Sequence, residues 1–243
     1  MREINWRIAL FEMLIVVVGI LIAFRVDEWK DTRAEEREVS ASLARLADDF
    51  VGNRLLCETL STEVRVNHDA VWHVYTSLQE GHVIGGDSEK FERGLVNADF
   101  IPQIPISTLG YREMIATGLL RSLKDVDLAV ELGLLETELE NSRVQIPYYR
   151  VGPAALASEL RDVVDFQYTD SPDQPGVRFD FADLVGNRRI RNLYFETVDS
   201  HGDVAFHLTR ICDLVDRISV RLAHYQARPD ELPEPLTTPR RDR

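Results

Sequence analysis

The most constraining feature of the chain is an apolar segment at residues 8–24, in which every residue is apolar or glycine except Glu12. A helix rises about 1.5 Å per residue, so these 17 residues cover roughly 25 Å, near the lower limit for crossing a bilayer. Trp6 and Trp29 lie 23 positions apart, a separation typical of two interfacial tryptophans. A buried helix of a soluble domain is the alternative interpretation. The pattern favours a transmembrane helix over residues 8–26, after a short flank at 1–7.

The residues that follow this segment predict that it is retained as a signal anchor. The sequence "AFRVDEW" contains no small-x-small cleavage site. Two arginines precede the segment and four Lys or Arg follow it within residues 25–37, so the positive-inside rule is nearly balanced. A short first segment with nothing large before it favours a cytoplasmic N-terminus and a periplasmic body in the bacterial inner membrane. Trp6, Arg25 and Trp29 are the expected membrane-interface anchors.

One face of this helix is suited to contact with another helix. Gly19 and Ala23 form a small-x-x-x-small pair, which allows a second helix to approach closely. Three roles are open for Glu12 on the same face: bonding to a neighbouring helix, reaching back to water, or lining an ion or proton path. We expect a homo-oligomer through the transmembrane and juxtamembrane helices. The face has alternating spacings of three and four, and its expected contact residues are Glu12, Val16, Gly19 and Ala23, flanked by Ala9 and Val26.

The segment also resembles the N-terminal anchor of an uncharacterised family of bacterial single-span membrane proteins. The matching features are Glu12, the run Gly-Ile-Leu-Ile-Ala at 19–23, and Trp29. The chain departs from the family pattern at Phe11, where glycine is usual, and in the charged stretch 25–28. Looser matches occur in "YREMIATGLLRSLKDVDL" and "NRRIRNLYF", and they include Thr117, Gly118, Lys124, Asp125 and Leu128. The resemblance implies a helical extracytoplasmic domain on a single span, in a family of unknown function.

The remainder of the chain predicts an all-α fold, a helical bundle that packs on the continuation of the first helix. Apolar residues recur at helical spacing from Val39 to Leu78, so we expect a long juxtamembrane helix over 27–80, with a candidate break at Gly52 and Asn53. The bundle is expected over 81–227, with helices ending near Thr117, starting after Asp125, and running from 154 to about 166 and from 181 to about 225.

Other details of the bundle follow from its prolines and glycines. Pro147 and Gly152 are expected to interrupt the middle of the chain, and Gly186 or Gly202 to split the last helix. "VRFDF" is the one stretch with strand-like alternation. Residues 228–243 contain four prolines and are expected to form a disordered tail.

Composition excludes some partners and leaves the cysteines open. With 41 acidic and 28 basic residues the chain has a net charge of −13, which argues against nucleic acid or an anionic lipid surface as its main partner. Cys57 and Cys212 are a candidate disulfide in an oxidising compartment and two buried thiols in the cytosol. The expected external orientation favours the disulfide.

No pattern of catalytic or metal-binding residues is found. The chain has no nucleophile elbow, zinc-protease helix, phosphate-binding loop or dinucleotide fingerprint. His68 with His73, and Asp199, His201, Asp203 and His207, lack the i, i+4 histidine spacing of a zinc site, and we expect no metal or cofactor. Tyr111, Arg112, Tyr148 and Arg150 are a candidate pocket for an anionic ligand, or else a helix surface and a packing seam.

We therefore expect a non-enzymatic, membrane-anchored helical protein that associates with itself, as a scaffold or a sensor in the cell envelope. Its expected partners are the lipid bilayer, further copies of the chain and an envelope protein. The alternative is an oligomeric channel or transport component with Glu12 on the pore or the helix-contact face.

Overall fold

A single helix of 75 residues, α1 (Trp6–Glu80), forms the N-terminal third of the protein. The computed structural model describes the backbone of residues 6–168 and 175–227 and the side chains of residues 13–167 and 176–227. The helix continues through 27–80, and the break considered at Gly52 and Asn53 is absent. The side chain of Asn53 does not compete with its own helix, because its amide donates to the Ser107 carbonyl (2.8 Å) and accepts from the Ser107 N–H (2.9 Å).

The other elements pack on the second half of α1 and are mostly helical. A 3-10 turn precedes α2 (Ser88–Val96), and a connector at 97–108 without helix or strand leads to α3 (Leu109–Thr117). A second 3-10 turn (Leu119–Ser122) leads to α4 (Val126–Tyr149) and α5 (Val151–Leu160). Strands β1 (Val164–Tyr168) and β2 (Pro175–Phe179) follow, and then α6 (Phe181–Gly186) and α7 (Arg188–Ala227). The predominantly α-helical fold predicted from the sequence is confirmed.

The bundle is organised around an antiparallel pair of helices formed by α1 and α7. Each helix buries a row of residues spaced alternately three and four apart, which is the heptad pattern of a coiled coil. We call the meeting of these two rows the α1–α7 seam. Its α1 row is Leu43, Leu46, Phe50, Asn53, Cys57, Leu60, Val64, Asn67, Val71, Val74 and Leu78, and its α7 row is Ile190, Tyr194, Thr197, His201, Val204, Leu208, Ile211, Val215, Ile218 and Leu222.

Three apolar clusters follow one another along the α1–α7 seam. The first joins the start of the buried row of α1 to α3, α4 and the end of α7, with Leu46 and Leu132 completely buried. The middle cluster contains Leu60 and Val204. The last contains Leu78, α2, α5 and the beginning of α7. The end of the bundle nearest the apolar segment is therefore closed by α3 and α4, and the far end by α2, α5 and the strands.

Two short strands correct the expectation of a purely helical fold. The predicted helix from 154 ends at Leu160, and residues 164–168 form β1, which pairs antiparallel with β2 in the register Val164 to Phe179 and Phe166 to Val177. The β-rich sequence "VVDFQY" has little helical preference, and pairing with "VRF" satisfies its backbone. Val164 is buried while its neighbour Asp165, on the opposite face of the strand, is exposed, so the hairpin packs one face against the far end of the bundle.

The prolines and glycines do not all act as the sequence suggests. Pro153 lies in the first turn of α5, where a backbone N–H has no partner within the helix, and Pro147 lies in the last turn of α4. The interruption expected at Pro147 and Gly152 is therefore limited to one residue, Arg150, between α4 and α5. Gly118 ends α3 with a φ of +78°, as expected, and α6 separates from α7 after Gly186, whereas Gly202 lies inside the continuous α7.

The first part of α1 projects from the bundle, and residues 13–38 are exposed on every side of the helix. Within the residues whose side chains are described, no helix combines the length and the apolar character needed to cross a membrane.

The close crossing of α1 and α2 gives a test of the packing. A Cβ added to Gly94 would lie 2.4 Å from the Ala70 carbonyl oxygen and 2.6 Å from a methyl carbon of Val74. We expect Gly94→Ala to lower the free energy of unfolding by at least ~2 kcal/mol, because the two backbones must separate. Gly202→Ala is the matched control, since a Cβ there meets no atom within 4 Å and alanine favours the helix by up to ~1 kcal/mol. Denaturant unfolding measures both changes: the free energy of unfolding should be lower for Gly94→Ala and higher for Gly202→Ala than for the unchanged protein.

Candidate functional site

A cleft of about 980 Å³ lies at the end of the bundle nearest the apolar segment, and we call it the basal cleft. Residues 32–44 of α1 form one wall, and the loop after α3 and the end of α7 form the other. The floor is apolar and is formed by the largely buried residues Val39, Leu43, Leu123 and Leu222. The rim is polar and charged. The remaining lining residues include Arg33, Glu35, Glu36, Arg37, Ser40, Ala44, Ser122, Lys124, Tyr225 and Gln226.

The loop wall is held to α1 by two polar contacts. The Ser122 hydroxyl donates to the carboxylate of Glu35, and the Lys124 ammonium lies 3.5 Å from the carboxylate of Glu36. Both acidic side chains therefore point toward the loop, at one edge of the basal cleft. Exposed ion pairs of this kind contribute little to stability, so their effect is mainly to orient the loop.

Arg33 and Arg37 lie one turn apart on α1, and neither has a hydrogen bond or ion pair to a carboxylate within the described part of the chain. The guanidinium of Arg33 stacks 4.7 Å from the ring centroid of Trp29. Such stacking limits the rotation of the arginine while leaving its N–H groups available. The two arginines therefore give the basal cleft a cationic edge that faces the apolar segment.

A buried ion cluster supports the floor of the basal cleft from behind. Arg221 is 3% exposed and donates to both carboxylate oxygens of Asp125, at 3.0 and 2.8 Å, and to Asp127 at 2.8 Å. Asp125 also accepts from the Leu128 N–H at 3.0 Å and so caps α4, as the sequence predicts. Burial opposes the charged guanidinium, but the hydrogen bond and the charge of Asp125 outweigh it and raise the pKa of Arg221.

Tyr225 connects this cluster to the cleft. Burial and then the negative charge of Asp125 raise the pKa of Tyr225 to about 12, so its hydroxyl stays protonated and able to donate at neutral pH. The sequence predicts Asp125 as a cap but gives no signal for Arg221, a lone cation in the apolar sequence "ISVRLA". The basal cleft is likewise absent from the sequence predictions, because its walls come from three distant segments.

The predicted membrane residues all lie in the projecting part of α1. Val16 is 60% exposed, and a Cβ added to Gly19 meets no atom within 4 Å. The side chains of Trp6 and Glu12 lie outside the described residues. Arg25 approaches Glu28 at 3.5 Å, and Trp29 is exposed beneath Arg33. The helical backbone thus places Val16, Gly19 and Ala23 on one unoccupied face of the helix.

The candidate pocket of tyrosines and arginines is not assembled. Tyr111 is buried beneath α4, and Arg112 donates to Glu136 at 3.0 Å, so this pair forms a packing contact between α3 and α4. Tyr148 lies 12 residues beyond Glu136, roughly 18 Å along α4, and is exposed. Arg150 donates to the Ile101 carbonyl at 3.0 Å. The two halves are separate structural contacts, which matches the packing alternative left open by the sequence.

Cys57 and Cys212 form a disulfide across the α1–α7 seam, with their Cα atoms 5.6 Å apart. The bond joins residues 155 positions apart in sequence. Closing so long a loop restricts the unfolded chain, which by the chain-entropy argument stabilises the fold by about 3–5 kcal/mol.

The histidines considered as ligands are distributed along α1 and α7. His201 is 2% exposed in the α1–α7 seam, and His73 is 9% exposed beside Phe91. The Tyr149 hydroxyl lies 3.2 Å from His207. Among the side chains described, no three His, Cys, Asp or Glu residues converge as metal ligands.

Comparison of the chain with models of known protein families, with curated proteins and with solved structures gives no match. The resemblance to the uncharacterised single-span family therefore stays a prediction.

The buried histidine of the seam predicts a pH dependence of stability. Burial is the main reason why the pKa of His201 is lowered from 6.5 to about 4. The neighbouring His68 adds to this effect, and a hydrogen bond to the Ala98 backbone opposes it. In the unfolded chain His201 is therefore protonated below pH 6.5, whereas in the folded protein it is protonated only below about pH 4. We expect the contribution of His201 to be complete above pH 6.5 and to decrease by roughly 3 kcal/mol as the pH falls to about 4.

The measurement is the free energy of unfolding at pH 7 and pH 4.5 for the protein and for His201→Gln. The glutamine keeps an N–H donor for the Ala98 carbonyl but does not titrate. The protein should lose roughly 2 kcal/mol more than the variant between the two pH values. His82→Gln, at an exposed position, should behave as the unchanged protein does. Equal losses in all three proteins would contradict the assignment.

Proposed function

We propose that the chain is a non-enzymatic, membrane-anchored helical protein of the bacterial envelope, and that it acts as a self-associating scaffold or sensor. In this proposal α1 crosses the inner membrane over residues 8–26 and holds the bundle in the periplasm. The observation that carries it is the continuity of α1 from an unpartnered apolar segment into the core of the bundle. The non-enzymatic part rests on the lack of a catalytic motif in the sequence.

Support for the anchor comes from the exposure of the apolar residues. Large apolar side chains from Met13 to Phe24 are 43–68% exposed, and they cover every face of the helix. A helix that is apolar all round requires an apolar environment, and this bundle does not provide one. Lipid is the environment that suits such a segment, because no described part of the chain buries residues 13–38.

Support for the orientation comes from the disulfide. A bond between Cys57 and Cys212 is stable in an oxidising compartment such as the periplasm and is rare in the cytosol. The bundle is on the C-terminal side of the apolar segment, so an external bundle requires a cytoplasmic N-terminus. This agrees with the orientation expected from the sequence.

Self-association is supported by the unoccupied face of the projecting helix. Gly19 and Ala23 lie on this face, and no residue in the described part of the chain covers them. Small residues at this spacing allow the backbones of two helices to approach closely in a membrane.

The first test addresses the anchor and the orientation together. We expect the protein to resist carbonate extraction from membranes, and Val17→Arg/Leu21→Arg to be released, because each arginine in mid-span costs about 2.5–3.5 kcal/mol. Val51→Arg/Leu55→Arg is the matched control, since these exposed residues of α1 lie beyond the segment.

In the unchanged protein, a thiol reagent applied after denaturation without reductant should label neither cysteine, because both are in the disulfide. The anchor is refuted if carbonate extracts the unchanged protein from membranes. The orientation is refuted if the reagent labels both cysteines.

The second test addresses self-association. The molecular mass in detergent should correspond to an oligomer for the protein and to a monomer for Gly19→Leu, because the larger side chain separates the two backbones. Gly52→Leu is the matched control, because a Cβ added at either glycine meets no described atom within 4 Å. The proposed contact face is wrong if the protein and Gly19→Leu have the same mass.

A further inference from the structure

We infer that the basal cleft is a binding site for a single-chain anionic amphiphile, of the long-chain fatty acid class. This inference rests on the proposed function in one respect, since the membrane is the source of such a ligand. It adds a ligand to the sensor role, which the proposed function leaves without one.

The shape and lining of the basal cleft suit an amphiphile. Its volume of about 980 Å³ is at the upper end of the range for small-molecule sites. The floor of Val39, Leu43, Leu123 and Leu222 offers an apolar surface for an acyl chain. Polar and charged residues of the rim border this floor, so a bound molecule needs one apolar end and one polar end.

The charges of the rim select an anion. Glu36 is paired with Lys124 at 3.5 Å, and Glu35 accepts from Ser122 at the loop edge. Arg33 and Arg37 have no carboxylate partner among the described residues, and one turn of helix separates them. A guanidinium binds a carboxylate through two parallel N–H donors.

The net charge of −13 does not oppose this local preference. Charges more than about 8 Å apart in water are largely screened at physiological ionic strength, so a bound carboxylate senses mainly its contacts. A bilayer surface would sense the whole acidic chain, whereas a single molecule in the cleft would not.

The position of the cleft favours a single-chain ligand over a phospholipid that remains in the bilayer. The proposed span ends at Val26, and the residues of α1 that line the cleft lie at 32–44. They are 6 to 18 positions beyond Val26, which corresponds to roughly 9 to 27 Å along the helix. The headgroup layer extends only about 5–8 Å beyond the hydrocarbon core. A molecule that fills the cleft has therefore left the bilayer, which is easier for one acyl chain than for two because every buried CH₂ adds to retention in the bilayer.

Trp29 provides a direct probe of binding, because it contacts Arg33 at the edge of the cleft. The chain has three tryptophans, so Trp6→Phe/Trp72→Phe leaves Trp29 as the only one. The experiment titrates this full-length protein, in a non-ionic detergent, with a dibrominated stearate that quenches tryptophan fluorescence. The same titration with the methyl ester of the probe isolates the contribution of the carboxylate.

We expect saturable quenching by the brominated stearate and a midpoint at least tenfold higher for Arg33→Gln/Arg37→Gln. The methyl ester should bind equally weakly to both proteins. Ala44→Phe, which fills the cleft from an exposed position without changing charge, should also abolish saturable quenching. Arg65→Gln/Arg161→Gln is the matched control, since it removes two exposed arginines elsewhere and should leave the midpoint unchanged.

The inference is overturned if both arginine pairs have the same effect, if the ester binds as well as the acid, or if Ala44→Phe has no effect. Saturable quenching by brominated phosphatidylglycerol at lower concentration would assign the cleft to a bilayer phospholipid instead. A lower midpoint after removal of residues 228–243 would assign it to the C-terminal segment. A midpoint that rises with protein concentration would assign it to a second copy. Because the titration is made in detergent, its failure is distinguishable from failure of the anchor, which the carbonate extraction tests.

Discussion

The packing of α1 against α7 is the interaction on which the rest of the structure depends. Every apolar cluster of the described bundle contains residues of both helices, and the Cys57–Cys212 disulfide joins them near the middle. The remaining elements complete the two ends of this pair. Because α1 also contains the apolar segment, the pairing fixes the bundle to the helix that we propose as its anchor, without a linker between them.

The polar residues within the α1–α7 seam explain why this pair adopts one register. Asn53 occupies a buried heptad position and binds the backbone of Ser107 twice, which fixes the connector before α3 against α1. A seam of aliphatic residues alone would tolerate a shift by one heptad, whereas a misplaced Asn53 or His201 would lose its backbone partner.

The sequence predicts well what depends on local spacing and poorly what depends on distant contacts. The long helix, the cap at Asp125 and the left-handed Gly118 follow from neighbouring residues, and all three are present. The strand at 164–168 is missed because its alternation of apolar and polar residues covers only five positions, directly after a helical stretch. Arg221 and the basal cleft are missed because their meaning depends on segments nearly 100 residues apart, and the Tyr111 and Tyr148 clusters show that similar local composition does not imply proximity.

The phase of the heptads along α1 connects the proposed association with the proposed ligand. The α1 row of the seam can be extended from Leu43 toward the N-terminus in alternating steps of four and three, and it then passes through Trp29 and Ile22. Ala23 is one residue from Ile22, so it lies about 100° away around the helix axis. The row that contains Ala23 continues through Arg33, Arg37 and Ala44, with a drift of about 20° per heptad in a straight helix. The face proposed for a neighbouring helix in the membrane is thus the face that lines the basal cleft above it. Since α1 has no break between them, a ligand that shifts this wall of the cleft would also change the angle at which two anchors meet in the proposed oligomer.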